Sequence, residues 1–287
     1  MSLVGAYVAL SKPLTMVFPV FLLALLRFGL AAVAMLPWTA PQKGETPLSP
    51  REHGLLFIMS LFGNFLFSIC MLSGIRLTTA TAAGVILATL PAVIAVMSWL
   101  LLREALSRRV VVAVVLAMLG IALLHLARDV ATSAENASAS DATPLGTALL
   151  FGAVLCEATY VIVGKRLAAV RSPLRVSALI NLWGLVLILP FGAAQTGPFD
   201  WRGVSAFDWA LLVFYSLAAS LAAVWLWMTG LRHVPANQAG VFTVALPASA
   251  TLVGVFYLNE QFTSLHAVAL LLAMAAVALL ATAAPRA

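Results

Sequence analysis

The sequence predicts an all-α integral membrane protein of ten transmembrane helices, arranged as two inverted five-helix repeats. Three observations predict it. Apolar stretches of about 20 residues, each long enough to cross ~30 Å of hydrocarbon, recur along the whole chain. The second half of the chain repeats the first. The cationic residues distribute unevenly between alternate loops. The composition agrees: 63% of the 287 residues are hydrophobic and 9% are charged, and the mean hydropathy is +1.08. A soluble domain of this size needs far more charge to cover its surface. The net charge of +6 therefore reads as loops facing anionic lipid and cytoplasm, and nucleic-acid binding is excluded as a function class.

Hydrophobic windows bounded by charge, proline or glycine place the spans near 1–14, 17–37, 53–75, 78–101, 107–126, 145–167, 174–194, 208–231, 235–258 and 263–283. The polar stretch "RDVATSAENASASDATP" (128–144) is rich in Ser, Ala and Thr, and reads as the linker between repeat one (1–127) and repeat two (145–287). No basic segment precedes the first apolar run, so there is no cleavable signal pattern. Cys70 and Cys156 fall inside spans, and His53, His125, His233 and His266 are scattered at span ends. That spacing gives no metal cluster and no disulfide framework.

Duplication shows residue by residue. Shifted by 156, Ile75–Leu124 lies on Leu231–Leu280 without a gap, and 18 of the 50 positions are identical. "AGVILATLPA" (83–92) falls on "AGVFTVALPA" (239–248), so Pro91 matches Pro247; Glu104 matches Glu260. Nearer the start of each half, a shift of 153 puts Tyr7 on Tyr160 and Lys12 on Lys165. Five spans is an odd number, so the second copy must enter the membrane inverted. With both termini cytoplasmic, and Arg27 left inside span two, 11 Lys and Arg positions fall on the cytoplasmic side and 4 outside, the expected positive-inside bias. Inverted repeats mark alternating-access carriers whose site lies near the midplane.

The stretches "LALLRFGLAA", "ATAAGVILATLPAVIAVMSWLLLREALS" and "WLWMTGLRHVPANQAGVFTVALPASATLVGVFYLNEQFT" together resemble the drug/metabolite transporter superfamily, EamA type, over nearly the whole chain. The resemblance implies a ten-helix secondary carrier of a bacterial inner membrane that moves small metabolites, often outward, without ATP. The chain agrees in having no Walker A run. One departure stands out. Span six begins near Leu145, so its counterpart is expected to begin about eight residues before Met1. A helix from Met1 to Lys12 reaches only ~18 Å, so either the start lies upstream or the first helix is stunted, and the former is the expectation.

Glu157 is the thirteenth residue of span six, 145–167, near the bilayer centre, where an ionised carboxylate is costly and usually marks a cavity. It either titrates as a proton or substrate site, or stays protonated as interhelical glue. "CEATYVIVGK" is also similar to the first helix of small multidrug resistance proteins, where a Glu eight residues before a Lys binds proton or cation in turn; here Lys165 follows Glu157 by eight. Val4 is the counterpart of Glu157 in the first half, so carboxylate chemistry belongs to one half. Tyr160, with Tyr7 as its mate, is a candidate for the same ligand. Arg27 stands mid-span, with Asn181 at the matching place of the second half. Asn64 and its mate Ser220 are candidate cavity polars, and Trp225 and Trp227 are candidates for stacking on a substrate or for interfacial anchoring. Pro91 and Pro247 are candidate hinges, since a mid-span proline frees a carbonyl and bends the helix. Glu104 and Glu260 read as interfacial carboxylates at tight turns.

The function this pattern predicts is secondary export of small molecules such as amino acids or amphipathic compounds, with protons as coupling ion through Glu157. No cofactor is implied. One mid-membrane carboxylate without a catalytic partner argues against an intramembrane enzyme. A lipid or lipid-precursor flippase is the alternative within the same fold. Neutral, aromatic and basic amino acids are all compatible substrates. Because the repeat already supplies both halves of a pathway, oligomeric state stays open.

Overall fold

The computed structural model describes residues 12–41, 45–78, 80–132, 143–257 and 263–281. In chain order the helices are α1 (Lys12–Val17), α2 (Val20–Met35), α3 (Pro50–Ser60), α4 (Phe67–Arg76), α5 (Ala80–Ala88), α6 (Leu90–Met97), α7 (Arg108–Thr132), α8 (Pro144–Val170), α9 (Pro173–Ala194), α10 (Ala206–Ser216), α11 (Val224–His233), α12 (Ala236–Phe242), α13 (Ala245–Tyr257) and α14 (Ser264–Ala281). No strand occurs among the described residues. Hydrocarbon explains this: a backbone in lipid must satisfy its polar groups within its own segment. Among the described residues, eight helical segments are long and apolar enough to cross a membrane. The chain is a multi-pass membrane protein.

Three spans carry a π-helical stretch: Leu61–Leu66 joins α3 to α4, Ser98–Leu102 follows α6, and Leu217–Ala223 joins α10 to α11. Two spans break among the described residues, one of them the span that also carries Ser98–Leu102. α5 and α6 part at Thr89, and α12 and α13 part at 243–244. Each break precedes a proline whose missing N–H withholds one helical bond, Pro91 from Leu87 and Pro247 from Thr243. A threonine side chain bonds back into the preceding turn at each break, Thr89 Oγ1 donating to Ile86 O (2.6 Å) and Thr243 Oγ1 to Gly240 O (2.7 Å). The expected linker is shorter than 128–144. Its first five residues continue α7 to Thr132, and Thr143 caps α8, accepting from Gly146 N at 3.1 Å. Residues 133–142 lie outside the described residues, as do most of the expected first span, Tyr7 and Glu260.

The chain forms two compact units that do not follow the sequence halves. Among the described residues, one gathers Leu66–Ile162 with the segments from Val234, and the other gathers residues 12–65 with Val163–His233. In the first unit α7 packs along α14 over small residues. A Cβ on Gly120 would lie 3.2 Å from Ala269 O, and Ala113, Ala117, Ala269 and Ala276 are fully buried. Such stripes let backbones approach closely where lipid supplies no hydrophobic drive. At the start of α8, Thr143 Oγ1 donates to Leu77 O (2.7 Å), and the Leu77 carbonyl leaves no room for a Cβ on Gly146.

In the second unit α2 packs on α9. Leu22 N donates to Gln195 Oε1 at 2.9 Å, and Phe28 covers the bare Cα of Gly184. α3 and α10 each begin with a capping box, Ser49 with Glu52 and Ser205 with Asp208. One loop is strapped by charge. Arg171 grips Glu52 with both Nε (2.5 Å) and Nη2 (2.8 Å) and donates to Thr46 O, while Arg175 pairs with Glu45 at 2.8 Å. The Glu52 carboxylate raises the basicity of the Arg171 guanidinium further, chiefly through that hydrogen bond.

Candidate functional site

Glu157 is the fourteenth of the 27 residues of α8, the middle of the helix. Residues at i−7, i−4, i−3 and i+4 share its face. These are Leu150, Ala153, Val154 and Val161, none more than 1% exposed. Phe151 and Leu155, on the opposite face, are 46% and 42% exposed. Glu157 therefore lies on the inward stripe of α8, yet it is itself only half-buried. Among the described residues no hydrogen bond or ion pair engages its carboxylate. A polar group placed inward, accessible and uncommitted suits exchange of a ligand; helix glue would be bonded and sealed. Tyr160, one turn further on, is half-buried and has interactions of its own. Lys165 serves the backbone instead. Its Nζ donates to Leu231 O at 2.7 Å, satisfying a carbonyl at the end of α11.

The second unit holds a separate band of polar groups at mid-helix. Asn181, 1% exposed, donates its amide to Ser177 O (2.8 Å) and Ser220 O (2.7 Å). Ser220 lies in the π-helical stretch, where the shifted ladder leaves backbone groups in need of outside partners. Ser220 is 2% exposed. Asn181 and Ser220 are thus buried and bonded, and they bind α9 to the α10–α11 span; they do not line an accessible cavity. Asn64 sits in the matching π-helical stretch and is half-buried. Its Nδ2 donates to Ser60 Oγ (3.4 Å), and Ser60 Oγ donates to Ile180 O (3.0 Å).

Arg27, the eighth of 16 residues of α2, is half-buried. Its guanidinium lies 4.4 Å from the Phe28 ring centroid, and Nη1 donates to Tyr215 Oη at 3.5 Å. Trp225 is 39% exposed, whereas Trp227 Nε1 is buried with no acceptor among the described residues. Pro91 is buried and Pro247 half-buried.

Two functional contacts escaped the sequence reading. Tyr215 passed as one more aromatic in an apolar span, and only the fold brings it to Arg27. Glu104 is more than an interfacial carboxylate at a turn. Its Oε1 accepts from Ala236 N (2.9 Å) and its Oε2 from Asn237 N (3.1 Å) and from Ser98 Oγ. It anchors the start of α12, 132 residues away. Arg103, in the left-handed region at φ 58°, turns the chain so that Glu104 reaches that end.

A model of the EamA-like transporter family matches residues 1–126 and again 144–282. The chain belongs to the EamA-like transporter family. Among its relatives, the uncharacterized transporter YetK of Bacillus subtilis is 33% identical over 270 residues, 93% of this chain and 79% of YetK. The threonine/homoserine exporter RhtA of Escherichia coli K12 is 32% identical over 161 residues, 55% of this chain and 49% of RhtA. A solved crystal structure superposes with a TM-score of 0.76 over 99% of this chain and 96% of its own, at 20% identity; that likeness speaks for the fold alone. Family and relatives are transporters, so this EamA-like chain is a transporter acting on a small-molecule substrate.

Proposed function

We propose that the chain is a secondary active exporter of small metabolites of the amino-acid type, seated in a bacterial inner membrane with both termini cytoplasmic. It works by alternating access on a scaffold of ten helices in two inverted repeats, 1–127 and 145–287. Glu157 carries the reading, because it is mid-helix, inward and without a partner among the described residues. When deprotonated it binds the cationic ammonium of the cargo. When protonated it releases that group, so proton and substrate exchange at one carboxylate. Tyr160 orients the ligand from one turn away. Within the second unit Asn64 and Trp225 offer a polar and an aromatic group, and the Asn181–Ser220 bond holds the span that carries Trp225. The breaks ahead of Pro91 and Pro247 act as hinges between inward-open and outward-open forms. The exporter activity named for RhtA supports amino acids as the class, since both chains share family and extended sequence identity.

The test is flux in proteoliposomes with labelled threonine, homoserine, phenylalanine and lysine, with and without a pH gradient. Wild type moves at least one of these under the gradient, and Glu157→Gln abolishes gradient-driven flux. Undiminished, gradient-driven flux in Glu157→Gln refutes proton coupling through this residue.

A further inference from the structure

We propose that Arg27 recognises the carboxylate of the cargo, an inference that rests on the carrier reading above and names the second chemical group its substrate must carry. Residues at i−4 and i+4 from Arg27, Leu23 and Ala31, are 7% and 0% exposed. The arginine therefore stands on the inward stripe of α2, yet it is half-buried. A cation at mid-helix is costly and needs an anion or a ring of acceptors. Among the described residues it has neither. Glu52 and Glu45 are taken up by Arg171 and Arg175. The guanidinium makes a single long hydrogen bond, 3.5 Å to Tyr215, and its Nε is buried without an acceptor.

Aromatic rings flank the guanidinium without neutralising it. Phe28 lies 4.4 Å from Cζ and the Tyr215 ring 5.9 Å, distances at which aromatic faces attract a cation. A planar, oriented fork short of acceptors is complementary to a carboxylate, which accepts two parallel N–H bonds. A phosphate dianion would call for a second cation, and Arg27 is the one Lys or Arg in the interior of α2. The cargo is therefore a carboxylate-bearing molecule, and Arg27 with Tyr215 as its positioning residue selects for that group. A purely cationic amphiphile would leave the arginine unsatisfied.

The experiment is binding to the purified chain in detergent, by calorimetric titration, using acid and amide pairs: threonine and threoninamide, phenylalanine and phenylalaninamide. Losing a charge-assisted, forked contact weakens binding by roughly tenfold or more. Wild type is expected to bind at least one acid about tenfold more tightly than its amide, and Arg27→Gln to narrow that ratio to about twofold. Arg27→Lys keeps the charge and loses the fork, so it retains part of the preference and serves should the Gln variant fail to fold. Tyr215→Phe lowers the preference without abolishing it. Equal binding of acid and amide by wild type overturns the proposal. So does the absence of acid binding, or an undiminished preference in folded Arg27→Gln. Binding with discrimination but no flux of any compound in proteoliposomes would sink the carrier reading and leave the carboxylate site standing.

Discussion

Glu104 offers a perturbation whose size follows from geometry. Its carboxylate receives the N–H groups of Ala236 and Asn237, at 2.9 and 3.1 Å, and the hydroxyl of Ser98. Asn237 answers by donating its Nδ2 to Ala105 O at 3.3 Å. α12 has Pro235 at its N-cap, which supplies no side-chain acceptor, so Glu104 acts as the capping residue from a distant segment. A lost cap costs about 1 kcal/mol, and hydrogen bonds to a charged group about 1.5–3 kcal/mol each. Glu104 is half-buried, so water recovers part of this, and Glu104→Ala is expected to cost roughly 2–4 kcal/mol. Gln keeps the length and one carbonyl oxygen, so Glu104→Gln falls at about half of that. A chain of this size loses about 2–4 °C of melting temperature per kcal/mol. Thermal melting of the detergent-solubilised protein should therefore show a drop of roughly 5–10 °C for Ala and a smaller one for Gln. Ser98→Ala combined with Glu104→Ala should cost about 1 kcal/mol less than the sum of the single variants, because the pair shares one bond. A Glu104→Ala variant that melts with wild type would refute the capping role.

Gly192→Ala should destabilise by about 1–3 kcal/mol, since its Cβ would come within 2.5 Å of Leu25 Cβ and 2.9 Å of Phe21 O, contacts that only a shift of α2 from α9 relieves. Gly164→Ala should cost less than about 1 kcal/mol in the same melting assay, because the nearest atom is the mobile Met59 Cε at 2.8 Å; equal costs at the two sites would contradict the packing argument. Arg171→Lys loses the two-pronged grip on Glu52 and should lower the melting temperature by a few degrees, while added salt hardly alters wild type because both side chains are largely buried. Asn181→Ala leaves the Ser220 carbonyl without its side-chain donor and should cost about 1 kcal/mol, with binding of the acid and amide pairs unchanged; a lost preference in that variant would return Asn181 to the ligand.

Eight spans among the described residues were legible because hydropathy over 20 residues is a one-dimensional signal. Expected segments 174–194 and 145–167 became Pro173–Ala194 and Pro144–Val170. α7 overran its expected end because "ARDVAT" contains nothing that stops a helix. The prolines at 91 and 247 announced the breaks, though the turns fall just ahead of them, where the missing N–H is felt. The π-helical stretches were not legible, since inserting one residue into a turn leaves mean hydropathy unchanged. Of the site, Glu157 and Arg27 showed as charges in apolar runs. Their partners did not, because Tyr215 stands 188 residues from Arg27 and Ser98 reveals its acceptor only once the chain has turned at Arg103. Ser220 reads from sequence as a cavity polar with Asn64; in the structure it is buried, and its carbonyl accepts from Asn181 at 2.7 Å. Chemistry-bearing residues can be named from sequence, but their roles depend on what the fold sets against them.

The duplication separates what must repeat from what need not. At a single offset of 156 residues, the Ser49 capping box matches that of Ser205, Ser60 matches Ser216, and the π-helical stretch Leu61–Leu66 matches Leu217–Ala223. These devices start and bend a helix, and each copy has to start and bend in the same solvent, so one solution serves twice. Polar groups carried by those helices diverge. Ser216 Oγ donates within its own helix to Leu212 O, whereas Ser60 Oγ reaches across to Ile180 O. Asn64 faces Ser220 at that offset, while at the offset of 153 Glu157 faces Val4 and Arg27 falls one residue short of Asn181. A ligand with two identical ends would be served by two identical sets of polar groups. Charge diverges furthest: Glu157 in one copy and Arg27 in the other each stand opposite a neutral residue of the repeat, so ion chemistry at either position belongs to one copy alone.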